Sequence, residues 1–268
     1  MRRRLVPMTL LCGLLAPAAH SQLQYSTGAV NNYVGNGCGG PDLGQCIAEA
    51  DDFSAWYGLA GLAALTRWQD GDVWGSDFRD GAGNDSNPSG GSDLPQIYYY
   101  SGHGICQNPP VAKDPDYITV CGNFGKPDTT DIGQQSRWGN GNLRFLFLDA
   151  SCPMDLISLG DNWFPVFAGL HVAVGNSGTV SADTLDSAAR GSQFAAYTVP
   201  VIPWFPTLSV GDAWMATGII DVQSGCCAVA IAAGDDRDDA INRRENEQVL
   251  SGWGNPAPNW FAWKWICG

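Results

Sequence analysis

The sequence predicts an α/β protein, a three-layer helix–sheet–helix sandwich around a mostly parallel sheet. Three observations carry that expectation. Short apolar runs that read as strands alternate with segments of helical periodicity, the pattern of right-handed strand–helix–strand crossovers. Two of the runs, within residues 97–104 (Ile-Tyr-Tyr-Tyr-Ser-Gly-His-Gly) and 143–152 (Leu-Arg-Phe-Leu-Phe-Leu-Asp-Ala-Ser-Cys), are apolar or aromatic and stop abruptly at small residues. A third, residues 226–233, is almost wholly apolar, the signature of a buried parallel strand.

Taken in order, residues 1–21 form an export signal. Arg2, Arg3 and Arg4 are its positive end, residues 5–16 an apolar stretch too short to span a bilayer, and Ala19-His20-Ser21 its small residues for cleavage. Residues 22–268 follow as a single domain, with no internal repeat and no long linker. Residues 22–44 are Gly- and Asn-rich, with a short strand expected near Tyr33-Val34. Phe53, Trp56, Tyr57, Ala60, Ala63 and Ala64 recur at helical spacing and predict a helix over residues 46–67. Residues 70–93 read as loops.

Beyond His103, a long crossover over residues 105–142 is broken repeatedly by proline and holds a short strand at 117–121. Such an insertion beside an active edge is often a substrate-facing loop. Residues 154–159 open a helix, 167–174 form a strand, and 182–196 and 209–220 form helices. Residues 235–247 are a charged, solvated segment. Residues 260–267 form a last strand whose Trp263 and Trp265 are expected in the aromatic core.

The 268 residues suffice for one sizeable core. The formal net charge is −13, and loss of the three leader arginines takes it to −16. An acidic surface of that kind repels nucleic acid and anionic membranes, so neither is expected as a partner. Eight of the nine cysteines lie beyond the leader. Cys38 with Cys46, and Cys106 with Cys121, are the expected local disulfides, although spacing does not fix connectivity. A free Cys152 would leave seven cysteines, so at least one more would be unpaired.

If the two runs at 97 and 143 are neighbouring parallel strands, about 4.8 Å apart, their carboxyl ends share the edge where open α/β sheets place chemistry. His103 and Cys152 would meet there as base and nucleophile, because an imidazole favours the reactive thiolate. Gly102 and Gly104 admit a substrate backbone, and the amides of Gly104 and Cys152 could hold the oxyanion. Asp149 or Asp155 could select a basic side chain, although capping a helix or turn is the commoner use of such residues. His171, inside an apolar strand, reads as a satisfied core imidazole. No cofactor is expected. Residues 80–85 and 235–239 are rich enough in acids to hold calcium, but neither fits a recognised calcium loop. No Gly-x-Ser-x-Gly elbow and no phosphate-binding loop is present.

The run Tyr98-Tyr99-Tyr100-Ser101-Gly102-His103-Gly104, followed some fifty residues on by Leu148-Asp149-Ala150-Ser151-Cys152, resembles the caspase-like cysteine peptidases: metacaspases, caspases, legumains and gingipains. The nearest likeness is to caspase-like families of exported bacterial proteins, and it is strongest over residues 95–175. The resemblance implies a caspase–haemoglobinase fold, a His103–Cys152 dyad, Gly104 as oxyanion donor and a protein or peptide substrate. The chain departs from it at Ala150, where metacaspases place an acid, and at Pro153-Met154-Asp155, where a small turn is usual, so the specificity pocket does not carry over. Two functions follow. One is a secreted or periplasmic cysteine peptidase. The other is an inactive exported binding or surface protein on the same fold, in which Cys152 is buried or disulfide-bonded.

Overall fold

The computed structural model describes residues 22–38, 40–80, 91–106, 116–121, 128–180, 185–220 and 226–268. The expected export signal, residues 1–21, and residues 81–85 of the acidic stretch lie outside the described residues. In chain order the strands are β1 (Gln24–Ala29), β2 (Ala63–Gln69), β3 (Ile97–Ser101), β4 (His103–Ile105), β5 (Tyr117–Val120), β6 (Asp128–Asp131), β7 (Phe145–Asp149), β8 (Val172–Ser177), β9 (Cys227–Gly234) and β10 (Trp260–Cys267). The helices are α1 (Cys46–Leu59), α2 (Ile132–Gln135), α3 (Leu159–Trp163), α4 (Leu185–Thr198), α5 (Val210–Ile220) and α6 (Arg237–Asn246). Seven strands form one sheet in the order β10-β9-β8-β7-β3-β1-β2, and β4, β5 and β6 form a small second one. From β2 across to β8 every pairing is parallel; β9 and β10 are antiparallel to their neighbours. The architecture is therefore mixed α/β, with a mostly parallel sheet flanked by helices.

Alternation along each strand makes two cores. On one face Tyr25, Ile97, Tyr99, Phe145, Phe147, Val172 and Val174 pack with Phe53 and Tyr57 of α1, Phe194 of α4 and Trp214 of α5. Phe53 is stacked between Tyr57 and Tyr99, with ring centroids 4.1 and 4.5 Å away. On the other face Tyr98, Tyr100, Leu146 and Leu148 meet Trp138, Ile132 of α2, Trp163 of α3, and Ile118 and Val120 of β5. On that second face the chain between β3 and β7 supplies the three-stranded sheet and the short α2, and the chain after β7 adds the short α3.

Several expectations are corrected. The helix of residues 46–67 stops at Leu59; Gly61, at φ +84°, turns the chain and residues from Ala63 form β2. Ala63 and Ala64 fit a helical stripe, but tertiary pairing with β1 prevails. The strand expected near Tyr33 is a turn, and β1 itself lies earlier. Residues 154–159 are mostly turn, and β8 begins only at Val172. The apolar run at 226–233 is antiparallel to both neighbours, since burial on both faces produces the same composition in either direction. Residues 237–246 are helical, with the Asp236 side chain accepting from the Asp239 amide at 2.9 Å and Arg243 buried. Trp260, Trp263 and Trp265 are 52, 41 and 52% exposed rather than core.

Asp116, just before β5, is 2% exposed and accepts a hydrogen bond from Ser158 at 3.2 Å. Burial pushes its carboxyl up to about 8. A carboxyl whose folded value is raised contributes fully at low pH, and that contribution is lost as pH rises from its unfolded value, near 4, to about 8. Asp116→Asn is therefore expected to gain about 1–2 kcal/mol at pH 7.5 and little at pH 4. Urea melts at both pH values check this, and an equal effect at the two would contradict it.

Candidate functional site

The strands bring the two expected positions to one edge of the sheet. β3 and β7 are adjacent and parallel in a register that pairs Ser101 with Asp149, and the Gly102 amide donates to the Asp149 carbonyl at 3.1 Å. His103 lies two residues beyond that last rung and Cys152 three beyond it. Gly104 is pressed on the backbone of residue 151: a Cβ there would lie 1.9 Å from the Ser151 carbonyl oxygen. Only glycine permits this approach. Among the described residues, Cys152 and Asp70 are the only non-glycine residues at positive φ, with Cys152 at 56°. Such backbone concentrates at functional sites. A cleft of about 340 Å³ opens at this edge, lined by His103, Gly104, Cys106, Asp149, Ser151 and Arg190 among others.

His103 is held on three sides. Its backbone amide donates to the Tyr33 hydroxyl at 2.8 Å, and the Tyr33 ring lies 4.3 Å from the imidazole. Its Nε2 is 2.8 Å from the Pro41 carbonyl oxygen. A carbonyl can only accept, so Nε2 carries the proton and Nδ1 of the neutral ring is the basic nitrogen. The turn after β1 thus sets the tautomer. It is itself anchored by the Cys38–Cys121 disulfide, which ties it to the end of β5.

Cys152 is not a free thiol here. It is bonded to Cys106 and is 5% exposed. A disulfide sulfur has no thiolate form, so in this oxidised state it is no nucleophile. Its amide is also occupied, donating to the Gly178 carbonyl at 3.0 Å, which removes it from the expected oxyanion pair. The Gly178 amide in turn donates to the Cys152 sulfur at 3.2 Å. The local disulfides expected from spacing do not form. The pairs are Cys38–Cys121, Cys106–Cys152 and Cys227–Cys267, with Cys46 and Cys226 outside any disulfide. Chain path, not sequence distance, decides who meets whom.

The two acids expected to select a basic side chain differ. Asp155 lies outside the cleft lining and accepts from the Ile157 amide at 3.0 Å, the turn-capping use. Asp149 lines the cleft but is already paired. Arg190 Nε donates to it at 2.6 Å and Asn176 Nδ2 at 3.1 Å. Behind it, Glu49 is fully buried, accepts from Ser101 at 2.9 Å and from Tyr99, and lies 4.0 Å from Arg190. Burial, and then the facing Asp149, raise the Glu49 carboxyl well above its ordinary range. The floor of the cleft is thus one guanidinium shared by two acids. Sequence reasoning missed Glu49, Arg190 and the Pro41 carbonyl. Only Arg190 left a signal, as a lone cation among the small residues Ala188, Ala189 and Gly191.

His171 is buried at the opposite rim, bonded to Glu247 at 2.5 Å and Asn255 at 3.1 Å. Among the described residues no group of three His, Cys, Asp or Glu could hold a metal ion, and no helix is long and apolar enough to cross a membrane. Three disulfides fit a chain that matures in an oxidising, extracytoplasmic setting. No curated protein matches the chain. A family model described as a domain of unknown function matches residues 28–265, and the chain belongs to that family, DUF6345.

Proposed function

We propose that this domain is a secreted or periplasmic cysteine peptidase of the caspase type, active once the bond between Cys106 and Cys152 is opened. The observation that carries this reading is His103, fixed by the Pro41 carbonyl with Nδ1 left as base, on the cleft that Cys106, the disulfide partner of Cys152, also lines. A base oriented by a third group beside a cysteine is the arrangement that thiol catalysis requires. In the reduced form, Cys152 passes its proton to His103 and attacks a peptide carbonyl. His103 then protonates the leaving amine, and water, activated by the same imidazole, hydrolyses the acyl-enzyme. Gly104 remains the proposed oxyanion donor; the Cys152 amide is spent on Gly178. The substrate is a protein or peptide. Asp149, neutralised by Arg190, is not a free acid for a basic side chain.

The disulfide itself favours a second reading, an exported binding or surface protein that keeps the fold without the chemistry. Cys106→Ser separates the two, because it leaves Cys152 as a thiol without any reductant. The peptidase reading expects this variant to cleave a mixed peptide library and to take a thiol-directed acylating probe on Cys152. Adding His103→Ala should lower both rates by about 10²–10⁴-fold. A folded Cys106→Ser protein that cleaves nothing and leaves Cys152 unlabelled would establish the binding protein instead.

A further inference from the structure

We propose that the Cys106–Cys152 disulfide is an exchange site for small thiols, with Cys106 as the sulfur attacked and Cys152 as the sulfur released. It concerns the same sulfur as the peptidase reading but needs no hydrolysis. The two ends of the bond are unequal. Cys106 lines the cleft and is half-buried, with its sulfur 3.7 Å from the Thr179 hydroxyl. Cys152 is 5% exposed and is not part of the cleft wall. Displacement at sulfur runs along the S–S axis, so a thiolate entering the cleft reaches Cys106 and expels Cys152.

The departing sulfur is also the better prepared. The Gly178 N–H already points at Cys152 Sγ from 3.2 Å, so the anion that forms receives a hydrogen bond at once. Stabilising the leaving thiolate speeds exchange. The balance is simple. An incoming thiolate RS⁻ forms an RS–S bond to Cys106 while the S–S bond to Cys152 breaks, and the electron pair leaves with Cys152. A second thiolate then forms RSSR and frees Cys106. Two thiols are oxidised and one disulfide is reduced. After the first step Cys106 carries the thiol adduct in the cleft, and Cys152 is the free thiolate.

The other two disulfides do not line the cleft. Cys38 and Cys121 are 1 and 0% exposed. Cys227–Cys267 joins paired positions of the β9–β10 ladder, away from the cleft.

The test uses native wild-type protein and glutathione. Samples are quenched in acid at intervals, and free thiols are alkylated under denaturing conditions and mapped by peptide mass. The expected result is glutathione on Cys106 and the alkyl tag on Cys152, in at least about tenfold excess over the reverse arrangement. The Cys38–Cys121 bond should remain closed throughout. Glutathione found mainly on Cys152, or a bond that opens only together with Cys38–Cys121, overturns the proposal. Where capture is too brief to see, Cys152→Ser activated as a Cys106–glutathione adduct provides the second measurement. Rapid exchange of that adduct with labelled glutathione supports an accessible Cys106, and protection until unfolding refutes it. No substrate peptide enters either experiment, so their outcome bears on exchange alone, and the peptidase reading stands or falls separately on the Cys106→Ser variant.

Discussion

Arg190→Leu is expected to destabilise the protein by roughly 3–5 kcal/mol at neutral pH. Arg190 is the cation between Asp149 and Glu49, with a side chain only 7% exposed and both acids fully buried. Leucine fills much of the volume but leaves two carboxyls facing each other in a desolvated site. The loss should shrink as pH falls. Glu49 is raised above its unfolded value, so its contribution is complete below the unfolded pKa, near 4.3, and is lost as pH rises from there through its higher folded value. Without Arg190 that window extends upward, and acid partly rescues the variant. Glu49→Gln provides the control. It keeps an acceptor for Tyr99, while the Ser101 hydroxyl, which meets the other oxygen, can turn to accept from the new amide; the variant should fold, and should flatten the pH dependence of stability above the unfolded value near 4.3. Urea melts of the three proteins across that range decide the matter. A cost below about 1 kcal/mol for Arg190→Leu would mean that the three groups do not form one closed unit.

The second large effect is expected from Cys38→Ala with Cys121→Ala. The bond joins residues 83 apart, and loop-closure entropy values such a link at about 4.5 kcal/mol. For a domain of this size that corresponds to a fall in melting temperature of roughly 10 °C or more. There is a local consequence as well. This bond fixes the turn that carries Pro41, and Pro41 fixes the His103 tautomer. In a Cys106→Ser background, the double alanine variant should therefore lose acylation of Cys152 even at temperatures where it remains folded. Undiminished acylation would show that the Pro41 contact is incidental.

The centre of the fold was legible in the sequence. β3 and β7 announce themselves because five-residue aromatic or aliphatic runs ending at small residues have few other uses, and β10 and the helices α4 and α5 fall close to their expected bounds. β1 was not legible: Gln-Tyr-Ser-Thr-Gly-Ala is fully buried over most of its length yet carries little apolar character. β2 was hidden by alanines that fit a helix equally well. The direction of β9 leaves no trace in its composition. At the site, strand ends predicted where His103 and Cys152 emerge. They could not predict that the chain leaving β4 turns Cys106 back onto Cys152, since that depends on the crossover's path. Nor could they show that Asp149 is already partnered, because Arg190 comes from a helix 41 residues later.

The last strand carries three exposed indoles on the rim of the main sheet, beside a backbone edge with no further neighbour among the described residues. Such a rim invites strand exchange between molecules and, at high concentration, fibrous growth. The rung joining Cys227 to Cys267 closes off strand exchange alone: it holds β10 on β9, so this strand cannot leave its own sheet to enter another molecule's, while its outer edge and its tryptophans stay open to a partner.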